Sequence, residues 1–443
     1  MSHATVHPSG ALKGTVTLPA SKPHVQRALL VALLNGATTR IENVSWCAET
    51  ELQFAALRQF GLTVVERGDA SLTLRGAGAG VEATGTIDAA GSGMLFRMSA
   101  ALASLSERPV TIRCNDSLFS RDSVFDDGFF SHLGIDARRR AGNLVTISRK
   151  PHPERIALTT RKSTQFISFA LFVAPFSADR TLRVADDGSQ AGYIDMTIKA
   201  MSLLHATVTR APGRLLAGEY RADDIVIGIP TDFTSLSYLA SAALSVGARS
   251  AIDIANYRPG DTLNEAALFD VYRALGVRLT RDDARHALRI ECERDRAARR
   301  APRQLARRAP RELSLRELPS AATNIIAAAS NLGDSIRFGG VDGINNHKCQ
   351  RAFVIHENLR AMGGRSALVF NDVGRFDKID VMSDGPLQGG AELPSYRDHR
   401  ICAANIVAAL GARRKTVVCD TDKLDDGFPK FIDTLRALGA EIA

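Results

Sequence analysis

The sequence predicts an α/β chain of six similar units, three in each of two domains, and three observations carry that prediction. A helix-like apolar stripe ending in Leu-x-x-x-Gly or a near match, followed by alternating strand residues, recurs six times. A second apolar helix, rich in Ala and Leu and opened by small or polar residues, recurs in step with it. The 443 residues are 45% hydrophobic and 23% charged, ordinary for globular domains of roughly 100–200 residues each.

The first helix series contains FAALRQFGLTVV from Phe54, VFDDGFFSHLGIDA from Val124 and IKAMSLLHATVT from Ile198. It continues with LFDVYRALGVRL from Leu268, VIHENLRAMGG from Val354 and FIDTLRALGAEI from Phe431. The terminating residues are Gly61, Gly134, His205, Gly276, Gly363 and Gly439, at intervals of 73, 71, 71, 87 and 76 residues. A glycine there lets the chain leave the helix through a left-handed conformation, and His205 stands in for it once. The long fourth interval holds Arg294–Arg311, with eight arginines and one acid. This segment accounts for nearly all of the net charge of +8 and is expected to be a solvated loop. The charge is therefore local, and no nucleic-acid-binding face is expected.

The second series opens at Ser21, Gly91–Gly93, Ser163–Thr164, Thr234–Ser235, Ser320 and Ser395–Asp398. Such residues cap helix starts, where free N–H groups and the helix dipole favour anions. Cations cluster with them: Lys22, Arg27, Arg97, Arg121, Lys348, Arg351 and Arg400. One serine at a helix start is only a cap, but six in phase with cations point to an anionic ligand. The six cysteines and ten histidines show no metal-ligand spacing, so neither metal nor cofactor is expected. No apolar run approaches the ~20 residues of a membrane span, and no secretory signal is seen, so the expected location is the cytoplasm.

The segments LPASKPHVQRALLVALLNGATTRIENV, AGSGMLFRMSAAL, STQFISFALFVAPF, YIDMTIKAM, DFTSLSYLASAAL and SYRDHRICAANIVAAL resemble, in order, the EPSP synthase family. The resemblance implies two domains of three βαβαββ units with a ligand cleft between them. The expected domains are residues 20–230, and residues 1–19 with 231–443. It implies contacts of Lys22 and Arg27 with phosphoenolpyruvate and the shikimate carboxylate. Ser163, Thr164 and Gln165 would grip the 3-phosphate of shikimate 3-phosphate, with Tyr193 following. Arg121, Arg351 and Arg400 would hold phosphoenolpyruvate, and Gly93 would meet the same ligand. Ser320 would line the substrate site.

The chain departs from the family at Pro23, at Gly91-Ser92-Gly93-Met94, and at three charged positions. Ser320 replaces the catalytic Asp, Lys348 replaces the catalytic Glu, and Asp426 replaces a lysine. Enolpyruvyl transfer needs a base, a proton donor and cations, and a positioned acid or base is worth roughly 10²–10⁴ in rate. The leading expectation is therefore a changed reaction on a similar ligand, in specialised metabolism. Phosphate would be eliminated from the ring of shikimate 3-phosphate or an analogue without phosphoenolpyruvate. Lys22 or the arginines would stabilise the leaving group, and His347, Lys348 or Asp398 would serve as base. The alternatives are a working carboxyvinyltransferase with relocated groups such as Lys348 and Asp426, and a non-catalytic binding protein. The oligomeric state is left open, with a monomer favoured.

Overall fold

The computed structural model describes residues 2–150, 156–160, 163–185, 191–247, 249–293, 310–345 and 348–443. The chain forms two compact units. A middle unit comprises Lys22–Ile229, and a terminal unit comprises Met1–Ser21 with Pro230–Ala443.

The repeat has a direct backbone signature. All six helix-terminating positions have positive φ: Gly61 at 103°, Gly134 at 64°, His205 at 64°, Gly276 at 87°, Gly363 at 77° and Gly439 at 97°. The left-handed exit is thus shared even where a histidine occupies it. After each of the first five exits the chain forms an antiparallel hairpin.

Each unit contains three small sheets, and five of the six follow one recipe: a parallel strand pair, then the hairpin laid antiparallel on the second strand. In the middle unit, Thr86–Ala90 runs parallel to Val110–Cys114 across the Gly93–Ala103 helix, and Leu144–Arg149 and Ile135–Arg140 complete the sheet. Leu158–Thr159 and Thr181–Ala185 pair likewise across the Thr164–Val173 helix. Two sheets take their parallel strand from further away. Lys13–Val16 lies beside Ser250–Ile254 in the terminal unit, and Ile225–Gly228 lies beside Thr38–Glu42 in the middle unit. This exchange closes each unit on itself. The last sheet borrows His3–Val6, which runs antiparallel to Thr416–Cys419 and bridges to Ile442 through Val6.

The opening helices form the cores. In the terminal unit, Phe233–Val246, Ala322–Ala329 and His399–Leu410 pack against one another, and every residue of the first two is buried. Their Ala and Ser content permits close approach, and polar ties link serine hydroxyls and asparagine amides between them. Asn324 Nδ2 donates to Ser237 O and to Ser241 Oγ, while Asn331 Nδ2 donates to Ser245 Oγ and Ala408 O. In the middle unit, Gly93–Ala103 packs on Thr164–Val173, and Lys22–Leu34 packs on Ala48–Gln59 and Ala191–Ser202.

The arginine-rich segment needs one correction. Residues 294–309 lie outside the described residues, but Arg311 is not loop. It opens the strand Arg311–Ser314, parallel to Ser335–Gly339. Its guanidinium donates to Ala274 O and pairs with Asp334 at 3.5 Å. Backbone pairing at Arg311 overrode a composition that marked it as part of the insert. Among the described residues, no helix is long and apolar enough to cross a membrane.

Candidate active site

In the middle unit, four helix starts bring the predicted anion-binding residues into position. Lys22 is the first residue of the Lys22–Leu34 helix, and its Nζ meets Glu49 Oε2 at 2.8 Å. Glu49 lies in the first turn of Ala48–Gln59, where an acid complements the helix dipole. Both side chains are largely withdrawn from solvent. Sequence reasoning named Lys22 but missed its counter-ion, whose only signal was an acid at a helix start.

One turn later, Arg27 has a structural task. It donates from Nε to Thr197 Oγ1, from Nη1 to Pro23 O and from Nη2 to Tyr193 O, each at 3.0 Å. Nε and Nη2 thus tie this helix to Ala191–Ser202, with Tyr193 contributing its carbonyl, while Nη1 bonds back within its own helix. Burial pushes the Arg27 pKa down to about 10, which leaves it charged at neutral pH.

Gly93 begins the Gly93–Ala103 helix, capped by the Ser92 hydroxyl, which accepts from Leu95 N at 3.2 Å. A side chain at Gly93 would meet Arg97 Nη1 at 3.2 Å and lie 3.7 Å from Arg121 Nη1. A side chain at Gly93 would thus crowd the Arg97 guanidinium and Val124, whereas Arg121 lies at ordinary contact distance. Arg121 Nη2 also lies 3.4 Å from Ser117 Oγ. At the next opening, Ser163 Oγ caps Thr164–Val173 by accepting from Gln165 N at 3.2 Å. Thr164 is buried, and Gln165 Oε1 accepts from Arg97 Nη1 at 2.7 Å. Burial, and then the charge of Arg121, push the Arg97 pKa down to about 9.

The terminal unit holds the remaining predicted residues except His347, which lies outside the described residues. Lys348 Nζ and Asp426 Oδ2 form an ion pair at 2.8 Å, both partly buried. Arg400 Nη1 donates to Ser320 O, joining two of the predicted positions.

Asp398 does not have the environment of a base. It is fully buried and caps His399–Leu410, with Oδ1 accepting from Arg400 N at 2.9 Å. Its Oδ2 accepts from Arg351 Nε at 2.8 Å, and Arg351 Nη2 reaches Oδ1 at 3.3 Å. Burial alone would raise its pKa, but the Arg351 charge overrides burial and holds the carboxyl well below the usual carboxylate range. A carboxylate held this way has little affinity for a proton at neutral pH. The expected catalytic role is replaced by a helix cap and an Arg351 counter-ion. Arg351, itself buried, commits Nε and Nη2 to that pair, so two of its three nitrogens are occupied. Beside them, burial and then Asp398 push the Cys349 thiol up to about 12, which keeps it protonated. Gly427, next to Asp426, lies against the His399 ring, where an added Cβ would come within 2.7 Å of the imidazole.

Chemically, the middle unit offers guanidinium and ammonium groups, hydroxyls and helix N-termini to anions. The terminal unit offers a carboxylate–ammonium pair and a further guanidinium.

Comparison with known proteins places this arrangement among related chains. A family model described as EPSP synthase (3-phosphoshikimate 1-carboxyvinyltransferase) matches residues 6–435. A 3-phosphoshikimate 1-carboxyvinyltransferase of Halobacterium salinarum is 25% identical, with 99% of each chain covered. One from Methanothermobacter thermautotrophicus is 26% identical, again with 99% of each chain covered. Among solved structures, EPSP synthase from Acinetobacter baumannii matches over 100% of both chains with a TM-score of 0.74 at 17% identity. The enolpyruvyl transferase NikO from Streptomyces tendae matches over 100% of this chain and 98% of its own, with a TM-score of 0.70 at 17% identity.

Proposed function

Since the chain belongs to the EPSP synthase family, we propose that it is a carboxyvinyltransferase. It moves the enolpyruvyl group of phosphoenolpyruvate onto a hydroxyl of shikimate 3-phosphate or a close analogue. The observation that carries this reading is the Lys348–Asp426 ion pair at 2.8 Å. The family resemblance puts an acid at the first position and a lysine at the second. In this chain the two charges are exchanged, and a carboxylate and an ammonium group are in contact.

The reaction adds the acceptor oxygen to C2 of phosphoenolpyruvate while C3 gains a proton. The tetrahedral adduct then loses inorganic phosphate and a C3 proton, leaving the enol ether. Asp426 takes the hydroxyl proton and returns one to carbon, and Lys348 fixes the carboxylate and offsets its charge. Lys22 and Arg121 stabilise phosphate as it departs, and Gly93 lets the anion approach backbone N–H groups. Ser163, Thr164 and Gln165 bind the acceptor phosphate at a helix start. The ring elimination expected from sequence rested on the loss of proton-transfer groups. Asp426 in its ion pair supplies such a group, and the curated relatives named above are carboxyvinyltransferases. The expectation of specialised metabolism loses its basis with that elimination.

The test is product analysis after mixing the protein with shikimate 3-phosphate, with and without phosphoenolpyruvate. Phosphate release that requires phosphoenolpyruvate, with a carboxyvinyl ether formed in equal amount, is the expected result. Phosphate release from shikimate 3-phosphate alone would restore the elimination reading. Tight binding without turnover would identify a binding protein.

A narrower outcome concerns the acceptor phosphate. Charge-assisted hydrogen bonds contribute roughly 1.5–3 kcal/mol each. Ser163→Ala with Thr164→Ala is expected to weaken shikimate 3-phosphate at least tenfold and to leave shikimate nearly unchanged, read by calorimetric titration. Loss of the Ser163 cap also lowers stability by about 1 kcal/mol, read by thermal denaturation. Equal losses for both ligands would place the phosphate elsewhere.

A further inference from the structure

The segment YIDMTIKAM places Thr197 within the Ala191–Ser202 helix, where its side chain is fully buried. Its hydroxyl sits among three helices of the middle unit. Oγ1 accepts from Arg27 Nε at 3.0 Å, on the Lys22–Leu34 helix. It lies 3.0 Å from Ser168 Oγ, on the Thr164–Val173 helix, and 3.0 Å from Tyr193 O, one turn back on its own helix. A guanidinium can only donate, and a threonine hydroxyl has one proton and two lone pairs. The Thr197 proton therefore goes either to Ser168 Oγ or to Tyr193 O, and in the second case Ser168 donates into the remaining lone pair. In both arrangements one oxygen bonds to two neighbouring helices.

Each link leads to a helix start. Arg27 Nη1 donates to Pro23 O, in the turn that begins with Lys22. Ser168 stands one turn after Thr164, on the helix whose start carries Ser163, Thr164 and Gln165. Lys22 is assigned above to the departing phosphate, and the second start to the acceptor phosphate. Lys22–Leu34 and Thr164–Val173 each pack on Ala191–Ser202, so their mutual spacing depends on what that helix presents to them. A hydrogen bond restricts both the length and the direction of a contact, which apolar packing does only loosely.

We propose that Thr197 is a positioning residue: its hydroxyl fixes the spacing between the helix start that carries Lys22 and the one that carries Ser163, Thr164 and Gln165, and so the spacing of the two substrates. This rests on the carboxyvinyltransferase reading for the identity of the two anions, but not for the coupling of the two helix starts.

The test compares Thr197→Val, Thr197→Ser and Ser168→Ala with the full-length wild type. Valine keeps the shape but offers Arg27 Nε no acceptor, so Tm is expected to fall. Each ligand meets one helix start, so the dissociation constants of shikimate 3-phosphate alone and of phosphoenolpyruvate alone are expected to stay within threefold of wild type. Reaction needs both in register, and a misplacement of about 1 Å can cost about 10²-fold in rate. Thr197→Val is therefore expected to lower kcat at least tenfold, and Thr197→Ser, which keeps the hydroxyl, to recover most of the loss. Ser168→Ala cuts only the link to Thr164–Val173 and leaves Arg27 its acceptor. It is expected to lower kcat in the same direction, and it decides the matter should Thr197→Val fail to fold.

A Thr197→Val protein with lower Tm and wild-type kcat would overturn the proposal, since that is the mark of a purely structural threonine. So would wild-type kcat in Ser168→Ala, or a loss of affinity for one ligand alone that matches the loss in kcat. Deuterium exchange of the free proteins is independent of the reaction. Residues 22–28 and 163–169 are both expected to exchange at least tenfold faster in Thr197→Val, or in Ser168→Ala if the first does not fold, while Val110–Cys114 keeps its wild-type rate. A wild type that forms no carboxyvinyl ether would defeat the carboxyvinyltransferase reading, and faster exchange at both helix starts would leave this inference standing. Unchanged exchange at either start would defeat this inference.

Discussion

Asp426→Asn is expected to lower kcat by roughly 10²–10⁴, the range associated with one positioned proton-transfer group. The substitution is nearly isosteric, and an amide oxygen still accepts from Lys348 Nζ, which now sits 2.8 Å from the carboxylate. The fold and the position of Lys348 are therefore retained while the ability to take a proton is lost. KM for shikimate 3-phosphate should change little, because the proposed phosphate contacts lie on the Thr164–Val173 helix start. The exchange Lys348→Glu with Asp426→Lys is the informative companion. It restores the charge order of the family and keeps a carboxylate against an ammonium group, so it should recover part of the activity lost by either single change. Steady-state phosphate release coupled to product quantification reads both. A kcat for Asp426→Asn within threefold of wild type would remove Asp426 from the mechanism.

The largest stability effect is expected at Asp398. Removing one member of a buried, bidentate ion pair leaves the other charge uncompensated, at roughly 3–5 kcal/mol. Asp398→Ala leaves the Arg351 guanidinium buried without its carboxylate, and it also removes the cap of His399–Leu410. Denaturant unfolding should show a destabilisation of that order. A partial recovery is expected in Asp398→Leu with Arg351→Met, where neither charge remains. The same pair sets an acid limit. Because the folded-state pKa of Asp398 is depressed, its contribution is complete above the unfolded value of about 3.9 and is lost as pH falls below that. The wild-type stability curve should therefore fall steeply on the acid side, and the double variant should lose this part of the slope. Wild-type-like stability of Asp398→Ala at neutral pH would contradict the assignment.

How much of this was legible follows from the distance over which each feature is written. The six repeats are local patterns, so helix exits at Gly61 through Gly439 could be read directly, and even His205 was found by its spacing. The resemblance implied that residues 1–19 belong with 231–443, but the individual pairings of Lys13–Val16 and Ile225–Gly228 were not legible, because both are four-residue strands whose partners lie in other repeats. Arg311 was misread because arginine content says nothing about a backbone ladder. In the candidate site, single residues were visible as cations at helix starts, but their partners were not. Arg97 meets Gln165 across 68 positions, and Arg351 meets Asp398 across 47. No periodicity links such pairs, since each is set by how helices from different repeats pack. Asp398 was visible as a cap from its place before a helix. That it also neutralises a buried arginine depended on tertiary structure.

The borrowed strand His3–Val6 has a consequence for biosynthesis. Its ladder partner is Thr416–Cys419, and Thr5 exchanges backbone hydrogen bonds with Ala443. This strand is therefore made long before its ladder partner. At about 5–20 residues per second, that interval is roughly 20–80 s. The middle unit, contiguous from Lys22 to Ile229, has all of its own strands much earlier. Vectorial synthesis thus leaves His3–Val6 unpaired while the middle unit's strands are already complete, with an open edge of the kind that chaperones shield.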